Sequence, residues 1–439
     1  DAKVSELLSK MTLEEKVGQM TQITVTNFED TKKPGYFDAV KLKQGIQDYH
    51  IGSILNVPNP GAPTTKRWQE TMTAIANEAN KTRLKIPVLY GIDAIHGASY
   101  TAGATFFPQQ IGLAATFNTE LVKRGAEISA YETRASSIPW IFSPDLDFPR
   151  NPAWSRMWES FGEDAYLSSK MAVALVDGFE GNNVGSKYSV ASCMKHYIGY
   201  GSTTTGKDRT PSIIPERILR QYDLTIYQAA IKAGAKSVMV SSGEINGTPV
   251  HASKHLITDI LKKELGFSGV VVTDWKDIIY LNTRHKVAET KRDAVRIAVM
   301  AGVDMNMVPE EFSFYTDLVD LVKKGEVPMS RIDDAVTRIL RMKYELNLFQ
   351  TTVADLKDYP KFGSQEHIQE AYNTAAESIT LLKNNNAVLP LNKTEKILVT
   401  GATANSMKYL NGGWSYTWQG ENSDTYAADK FTILEAFQN

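Results

Sequence analysis

The stretch GVVVTDW, residues 269–275, holds the side chains of this chain that are best placed to do chemistry. Gly269 opens an apolar, β-branched run that predicts a buried strand, and Asp274 and Trp275 follow at its carboxyl end. A carboxylate is costly to desolvate without partners, so its position calls for a reason. A carboxylate beside a flat aromatic ring suits sugar cleavage, with a nucleophile for the anomeric carbon and a platform for a pyranose. An equal alternative is that Asp274 caps the helix that follows.

Other apolar runs also end in polar or charged side chains. These are Asp93, Asp145 and Asp147, Lys195 and His196, and Glu244. In a parallel α/β barrel the carboxyl ends of the strands meet at one mouth, where active sites lie. Any single member of the set could be a helix cap or a paired core residue. Because several strands end in the same way, the sequence favours one shared site.

The elements that position these residues follow from an alternating pattern. From the amino terminus to about residue 350, short apolar runs alternate with amphipathic helical stretches. The runs predicted as strands are IGSILNV, IPVLYGID, IPWIFSPDLD, YSVASCMKHY, KSVMVSSGE, GVVVTDW and VDMNM. This order predicts an α/β fold with a parallel sheet and helical crossovers. Roughly seven or eight such units in this length favour a closed (β/α)8-like TIM barrel over an open sheet.

The last part of the chain has a different character. Residues 1–350 are predicted to form the barrel, 351–365 a linker, and 366–439 the beginning of a second domain. In that last segment we expect a helix over IQEAYNTAAESI, a strand over KILVTGATA and a loop rich in glycine and tryptophan, GGWSYTWQG. The segment is short for an independent α/β domain, so we expect the second domain to be cut off within it.

Composition excludes several classes of function. The 48 Lys and Arg residues nearly balance the 50 Asp and Glu residues without long runs of one sign, which argues against nucleic-acid and anionic-membrane partners. No stretch approaches the roughly 18 apolar residues of a membrane-spanning helix. The single cysteine, Cys193, excludes an internal disulfide and a cysteine-based zinc cluster. The chain starts at Asp1 rather than Met, which is compatible with a removed leader peptide.

Motifs along the whole chain together resemble glycoside hydrolase family 3, in its branch of exo-acting β-glucosidases and β-glucan glucohydrolases. They are, in order, LLSKMTLEEKVGQM, YGIDAIHG, ATFFPQQIGLAATFN, WSRMWESFGED, CMKHYIGYG, GFSGVVVTDW, ITLLKNNNAVLPL and GGWSYTWQG. The resemblance implies a (β/α)8-like barrel followed by an αβα sandwich, with the active site between them. It implies a retaining exo-β-glucosidase that releases terminal non-reducing β-D-glucosyl residues from β-glucosides or gluco-oligosaccharides through a covalent glycosyl-Asp intermediate. It implies no cofactor and no catalytic metal, and it favours a periplasmic or secreted protein, with the cytoplasm left open.

Site roles come from the resemblance residue by residue. Asp274 corresponds to the nucleophile. The residues that bind hydroxyls of the terminal glucose would be Asp93, Arg156, Lys195 and His196. Trp275 and Trp418 correspond to two tryptophans that sandwich the next sugar, whereas Trp414 is expected to be structural.

Two of these residues have simpler alternatives. Arg156 could pair with Glu159 or Glu163 in the motif that follows it. His196 could be a core histidine, although a hydrated cation beside it at Lys195 is not explained by core packing. The sequence favours a functional role for both.

The chain departs from the family pattern at two places. Relatives carry the acid/base glutamate tens of residues beyond the tryptophan loop, so we expect it beyond Asn439. Relatives often have a tyrosine supporting the nucleophile where SVMVSSGEING places Ser242. Glu244 could support the site, stand in as an acid or form a local salt bridge. Arg209 is a further candidate for the site.

Other functions fit these residues less well. GSTTTGKD, residues 201–208, nearly spells a phosphate-binding loop, but Asp208 replaces the required Ser or Thr and Pro211 bars an immediate helix. A lid over a sugar pocket is the better interpretation. A β-N-acetylhexosaminidase of the same superfamily would need a histidine acid where Tyr200 stands. A β-xylosidase and a non-catalytic sugar-binding protein remain open alternatives.

Overall fold

Eight short parallel strands form the centre of the computed structural model, which describes residues 2–439; Asp1 lies outside the described residues. All residues of the eight strands are buried, as expected for parallel strands covered on both faces. The strands are β1 (Thr21–Thr24), β2 (Ser53–Leu55), β3 (Leu89–Ile92), β4 (Trp140–Ile141), β5 (Cys193–Tyr197), β6 (Ser237–Val240), β7 (Val270–Val272) and β8 (Asn306–Met307).

The eight strands follow one another in a closed ring. Regular ladders give the orders β8-β1-β2-β3-β4 and β7-β6-β5. Parallel bridges join these two sheets at both seams, for example Asp145 with Lys195 and Val272 with Met305. The closed ring with helical crossovers is a (β/α)8-like barrel, which confirms the fold class predicted from the alternating pattern.

The strand β1 is the one that the apolar pattern did not reveal. The other seven strands lie within the runs predicted as strands, whereas β1 reads Thr-Gln-Ile-Thr. Its polar side chains are paired inside the barrel: Gln22 Nε2 donates to Ser53 Oγ (2.8 Å), and Ser53 Oγ donates to the carbonyl of Leu89 (2.7 Å). Because internal hydrogen bonds compensate their burial, polar residues can form a barrel strand without an apolar signal.

Helices connect the strands and cover the outside of the barrel. They are α1 (Ala2–Lys10), α2 (Leu13–Gln19), α3 (Ala39–Lys43), α4 (Thr65–Ala79), α5 (Gln110–Ala115), α6 (Thr119–Ala135), α7 (Ala165–Glu180), α8 (Glu216–Gln221), α9 (Asp223–Ala233), α10 (Asp277–Thr283), α11 (Lys291–Ala301), α12 (Ser313–Lys323) and α13 (Met329–Glu345). Two π-helical stretches, Gln44–Asp48 and His255–Glu264, complete this layer. Within residues 2–439, no helix has the length and apolar character needed to cross a membrane.

The helix α7 shows how the sequence sets these elements. Asp164 caps its first turn, accepting a hydrogen bond from the backbone N–H of Leu167 (2.8 Å). Gly181 ends it with a φ of 55°, a backbone conformation that favours glycine. Between these ends, apolar residues such as Met171 and Leu175 are buried, and the helix packs against α6 and α9. The helix thereby leads into β5, which carries two candidate site residues.

The part after the barrel is helical and irregular. It contains α14 (Gln365–Ser378), α15 (Met407–Asn411), α16 (Ser423–Tyr426) and α17 (Ile433–Gln438). The predicted strand over KILVTGATA is wrong, because residues 396–401 form no regular structure and Leu398 is 87% exposed. A strand needs a neighbour for its ladder hydrogen bonds, and none of the described residues pairs with this segment.

Candidate active site

The carboxylate of Asp274 lies directly after β7, held by neighbouring donors. The backbone N–H of Trp275 donates to Oδ1 (2.6 Å), and the Ser242 hydroxyl lies 2.8 Å from Oδ2. The Arg209 guanidinium lies 3.6 Å from Oδ2. Burial alone would raise the pKa of Asp274, but Arg209, the Trp275 N–H and Arg156 lower it below its usual value. The group is therefore an anion at neutral pH, as an attacking carboxylate must be.

Helix capping does not account for this carboxylate. Lys276 occupies the N-cap position of α10, and that cap makes no side-chain hydrogen bond to the helix. The Asp274 side chain accepts from the N–H of Trp275, which precedes the helix. The structure therefore does not support the capping alternative.

Lys195 and Asp93 form an ion pair across the barrel mouth. Lys195, in the middle of β5, donates from Nζ to Oδ1 of Asp93, which follows β3 (2.8 Å). Burial alone would lower the pKa of Lys195, but Asp93 raises it above its usual value, so the amine stays charged. The ring of Trp414 lies over the ammonium, 4.7 Å from Nζ to its centroid. Trp414 thus contacts Lys195, and its expected structural role stays a prediction.

His196 lies between Asp274 and the buried side chain of Asp147. Its Nδ1 lies 2.7 Å from Asp147 Oδ2, and its Nε2 lies 3.4 Å from Arg156 Nη2. Because a guanidinium only donates, Nε2 accepts, and the ring proton on Nδ1 is donated to Asp147. Burial, together with Arg156 and Lys195, lowers the pKa of His196 well below its usual value, in agreement with a neutral ring. Nε2 also lies 4.0 Å from Oδ2 of Asp274.

Arg156 makes the pairing that was its simpler alternative and faces the site as well. Its guanidinium donates to both carboxylate oxygens of Glu159, at 2.8 and 2.7 Å. The same group faces His196 and lies over the ring of Tyr200, 5.4 Å from the centroid. The bidentate pair therefore fixes the direction in which Arg156 presents its remaining donors.

A loop from the carboxyl-terminal part, residues 412–420, lies against the barrel mouth. The Ser99 hydroxyl donates to the carbonyl of Trp414, and His96 Nε2 lies 3.0 Å from Ser415 Oγ. Within the loop, the Trp414 N–H donates to the carbonyl of Trp418 (2.9 Å). The Trp418 side chain is 62% exposed. The loop thus presents Trp414 to the ion pair at the mouth and leaves Trp418 accessible.

The other candidates divide into two groups. Ser242 and Arg209 contact Asp274, so the structure brings them into the site. Glu244, by contrast, pairs with His285, whose Nδ1 lies 3.0 Å from Oε2 of the glutamate. This is the local salt bridge that was its simplest alternative. Trp275 is half-buried beside Asp274.

The loop over residues 201–208 leads to Arg209. Thr203 and Ser212 pair as an antiparallel bridge, which brings the two arms of the loop together. The carbonyl of Arg209 accepts a hydrogen bond from Arg284, which holds the turn near the mouth. The next helix, α8, starts only at Glu216, so the loop lacks the adjoining helix of a phosphate-binding loop.

One group of side chains has the spacing of metal ligands. Single donor atoms of Asp145, Asp147 and His196 lie within 4.8 Å of one another. Arg156 and Lys195 already act on Asp145, whose pKa burial raises to about 7. Since His196 uses Nδ1 to donate to Asp147 and cations lie close by, the donor set does not fit a divalent metal.

Comparison with known proteins supplies the family. Residues 12–342 match the model described as "Glycosyl hydrolase family 3 N terminal domain", which is most of the chain. The chain belongs to glycosyl hydrolase family 3. This family 3 chain is 42% identical to the "Lysosomal beta glucosidase" of Dictyostelium discoideum, over 97% of this chain and 54% of that protein. It is 35% identical to the "Periplasmic beta-glucosidase" of Salmonella typhimurium, over 100% of this chain and 54% of that protein.

A solved structure agrees over the whole family 3 chain. The exo-1,3/1,4-beta-glucanase from a Pseudoalteromonas species has a TM-score of 0.87 and 34% sequence identity, covering 100% of this chain and 55% of that chain. The chain spans about half the length of the curated relatives it matches.

One residue at the site was missed in the sequence. Asp277 Oδ2 lies 2.6 Å from the Ser242 hydroxyl, which also contacts Asp274. In sequence it stands in the first turn of α10, where an acidic residue is the ordinary complement of a helix N-terminus. Because Asp274 precedes α10, helical spacing does not relate the two residues, and their closeness along the chain was the available signal.

Proposed function

We propose that this protein is a retaining exo-β-glucosidase, which releases terminal non-reducing β-D-glucosyl residues from β-glucosides and gluco-oligosaccharides. The observation that carries the proposal is the anionic Asp274 at the barrel mouth, held by Arg209 and the Trp275 N–H. The names of relatives, β-glucosidase and exo-glucanase, support the same substrate class.

In the proposed first step, a carboxylate oxygen of Asp274 forms a bond to the anomeric carbon while the bond to the leaving oxygen breaks. This gives a glycosyl ester and the departing group, which takes up a proton if it is an alkoxide. Water then attacks the anomeric carbon, the bond from that carbon to Asp274 breaks, and the water gives up a proton to a base or to solvent. This second inversion regenerates the carboxylate and retains the anomeric configuration. A neighbouring Arg209 that keeps the carboxylate ionised favours the attacking form.

The remaining polar side chains are proposed to bind the hydroxyls of the terminal sugar. Lys195 donates to Asp93, and Arg156 retains donors beyond its pair with Glu159. Hydrogen bonds from ionised groups are short and strong, and those that tighten as the ring flattens lower the barrier. A site lined in this way binds a chain end, in agreement with exo action.

The aromatic residues Trp275 and Trp418 are proposed to hold the sugar that follows the scissile bond. An indole face suits the apolar C–H face of a pyranose, and the N–H can reach a hydroxyl. Trp275 adjoins the nucleophile, and Trp418 is accessible in the loop at the barrel mouth.

A trapping experiment tests the nucleophile and the sugar together. The dinitrophenolate group of a dinitrophenyl β-glucoside leaves without being protonated. The first step with this substrate therefore depends on Asp274 and not on a general acid. Its analogue with fluorine in place of the hydroxyl beside the anomeric carbon should form a long-lived ester, since that hydroxyl stabilises the transition state. Mass spectrometry of peptides is expected to find the fluoroglucosyl group on Asp274.

The matched variant for this test is Asp274→Asn. We expect it to lose about a thousandfold or more in the rate with the dinitrophenyl glucoside, about 4 kcal/mol of barrier. A label on another residue, or near-normal turnover by the variant, would refute the assignment. The same assay with dinitrophenyl xyloside and N-acetylglucosaminide distinguishes a β-glucosidase from a β-xylosidase and a β-N-acetylhexosaminidase. Sugar binding with neither a covalent label nor turnover would indicate a non-catalytic sugar-binding protein.

We also propose the division into a barrel over residues 1–350, a linker over 351–365 and a second, αβα-sandwich domain that starts within 366–439. The helix α14 and the tryptophan loop lie in that last segment and pack against the barrel. We further propose a periplasmic or secreted location, supported by the name of the Salmonella relative. Cell fractionation with an antibody tests the location.

A further inference from the structure

The hydroxyl of Ser242 lies between two carboxyl groups. Its Oγ is 2.8 Å from Asp274 Oδ2 and 2.6 Å from Asp277 Oδ2. A serine hydroxyl has one proton, so it can donate to only one of these oxygens. Two oxygens 2.6 Å apart with no proton between them would repel each other. The geometry therefore requires a second proton, carried by one of the two carboxyl groups.

The surroundings decide which carboxyl group carries it. Asp274 has the donors that an anion needs, the Trp275 N–H at 2.6 Å and Arg209 at 3.6 Å. Asp277 is buried, and its Oδ1 has no hydrogen-bond partner among residues 2–439. The nearest imidazole nitrogen, His251 Nε2, is 3.8 Å from Oδ2, too far for a hydrogen bond. The proton therefore belongs on Asp277.

The charges that face Asp277 agree with this assignment. Burial, followed by the negative charge of Asp274, raises the pKa of Asp277 to about 8, against the opposing effects of Arg209 and Arg284. His251 adds no charge near neutral pH, because burial lowers its pKa to about 3. Asp277 is therefore neutral below about pH 8 and ionised above it.

We propose that Asp277 is a positioning residue for the nucleophile: its neutral carboxyl group donates to Ser242 Oγ, and Ser242 in turn donates to Oδ2 of Asp274. The inference rests on Asp274 as the nucleophile of the proposed function. The relay holds Oδ2 in one orientation and gives it a donor that is itself polarised by a second donor. It also orients the hydroxyl hydrogen of Ser242 toward Oδ2 of Asp274.

The relay makes activity depend on the protonation of Asp277. Loss of its proton places a second negative charge beside Asp274 and leaves both carboxylates competing for the single proton of Ser242. With a dinitrophenyl glucoside, which needs no general acid, kcat/KM is expected to fall as the pH rises through about 8.

The variant Asp277→Asn tests this dependence, because an amide is nearly isosteric, still donates and cannot ionise. It is expected to lose less than about tenfold in kcat below pH 8, with KM little changed, and to lack the fall above pH 8. The control Asp259→Asn, at a surface site with an ion pair to Lys263, should keep the wild-type pH profile. An alkaline fall that persists in Asp277→Asn, or a wild type fully active well above pH 8, would overturn the relay.

Infrared spectroscopy tests the proton directly and without turnover. The wild-type protein at neutral pH should show a carboxylic-acid C=O band that the Asp277→Asn spectrum lacks. If that variant does not fold, Ser242→Ala serves instead, since cutting the relay must shift the frequency of the band. No such band, or a band that Ser242→Ala leaves unchanged, contradicts the proposal. A label away from Asp274 in the trapping experiment would instead refute the proposed function, so the two failures are distinguishable.

Discussion

At the scale of single residues, the site works through a division of charge. Asp274 and Asp277 are both buried aspartates, yet their surroundings shift their pKa values in opposite directions. The difference lies in hydrogen-bond donors and charge, because Asp274 accepts from a backbone N–H and has Arg209 at 3.6 Å, while the hydrogen-bond partner of the Asp277 side chain among the described residues is the Ser242 hydroxyl. Partners rather than burial alone therefore decide which carboxyl group is the anion.

The charge of Arg209 gives a prediction at this scale. Arg209→Gln removes a group that lowers the pKa of Asp274, so that pKa should rise. Because attack requires the ionised form, the acidic limb of kcat/KM for an aryl glucoside is expected to move to higher pH. Lys207→Gln, at an exposed position of the same loop, is the control and should leave the limb in place. An acidic limb that does not move in Arg209→Gln would show that Asp274 does not set it.

At the scale of elements, the barrel strands and the loop 412–420 carry different kinds of side chain. The ion pair and Asp274 lie on the ring of strands, with Asp93 after β3, Lys195 in β5 and Asp274 after β7. The loop 412–420 depends instead on a few hydrogen bonds, such as those from Ser99 and to His96. The charged groups thus lie on the barrel, whereas Trp418 lies on a loop that is outside it.

The exposed ring of Trp418 allows its proposed role in sugar binding to be tested without a change in protein stability. Since the side chain is 62% exposed, Trp418→Ala should leave the melting temperature nearly unchanged. Loss of a stacking platform is expected to weaken binding of a gluco-disaccharide by about fivefold to tenfold. Calorimetric titration in an Asp274→Asn background measures this without turnover. Equal affinity in the two proteins would remove Trp418 from the proposed sugar site.

At the scale of the whole molecule, a buried carboxylate ties the last segment to the barrel. Glu132 on α6 accepts from the backbone N–H of Thr105 (2.6 Å) and of Gly363 (3.0 Å), and its Oε1 lies 2.7 Å from His367 Nδ1. These partners belong to a barrel loop, the segment after the barrel and α14. The tryptophan loop therefore reaches the mouth from a segment that is anchored independently of the site.

Removing this anchor should loosen the molecule without touching the site. In Glu132→Gln an amide NH2 group replaces an acceptor oxygen and faces the N–H groups that donated to it. We therefore expect a loss of about 3 kcal/mol in the free energy of unfolding. Urea denaturation measures the loss, and limited proteolysis should cut residues 351–364 faster. Glu127→Gln on the same helix, a half-exposed partner of Arg124, should change stability by less than about 0.5 kcal/mol. Equal stability of the two variants would show that Glu132 is not an anchor.

The fold was largely predictable because its main signal is local. Apolar runs alternating with helical stretches predicted the barrel and seven strands, and charged residues after those runs marked the mouth. Prediction from sequence fails where the outcome depends on a neighbour: β1 is polar but paired inside the barrel, and KILVTGATA is apolar but has no pairing strand among the described residues. The pattern of apolar residues along the chain indicates which segments are buried, but it does not indicate which strands pair with each other.

By itself, the sequence determined seven of the eight strands and the charged residues that follow them, since periodicity and order along the chain are enough for both. Only the tertiary structure decided that Ser242 stands between Asp274 and Asp277, that Trp414 covers Lys195 and that Glu244 turns to His285. Protonation states follow from distances between groups far apart in sequence. Those distances exist only once the barrel has closed.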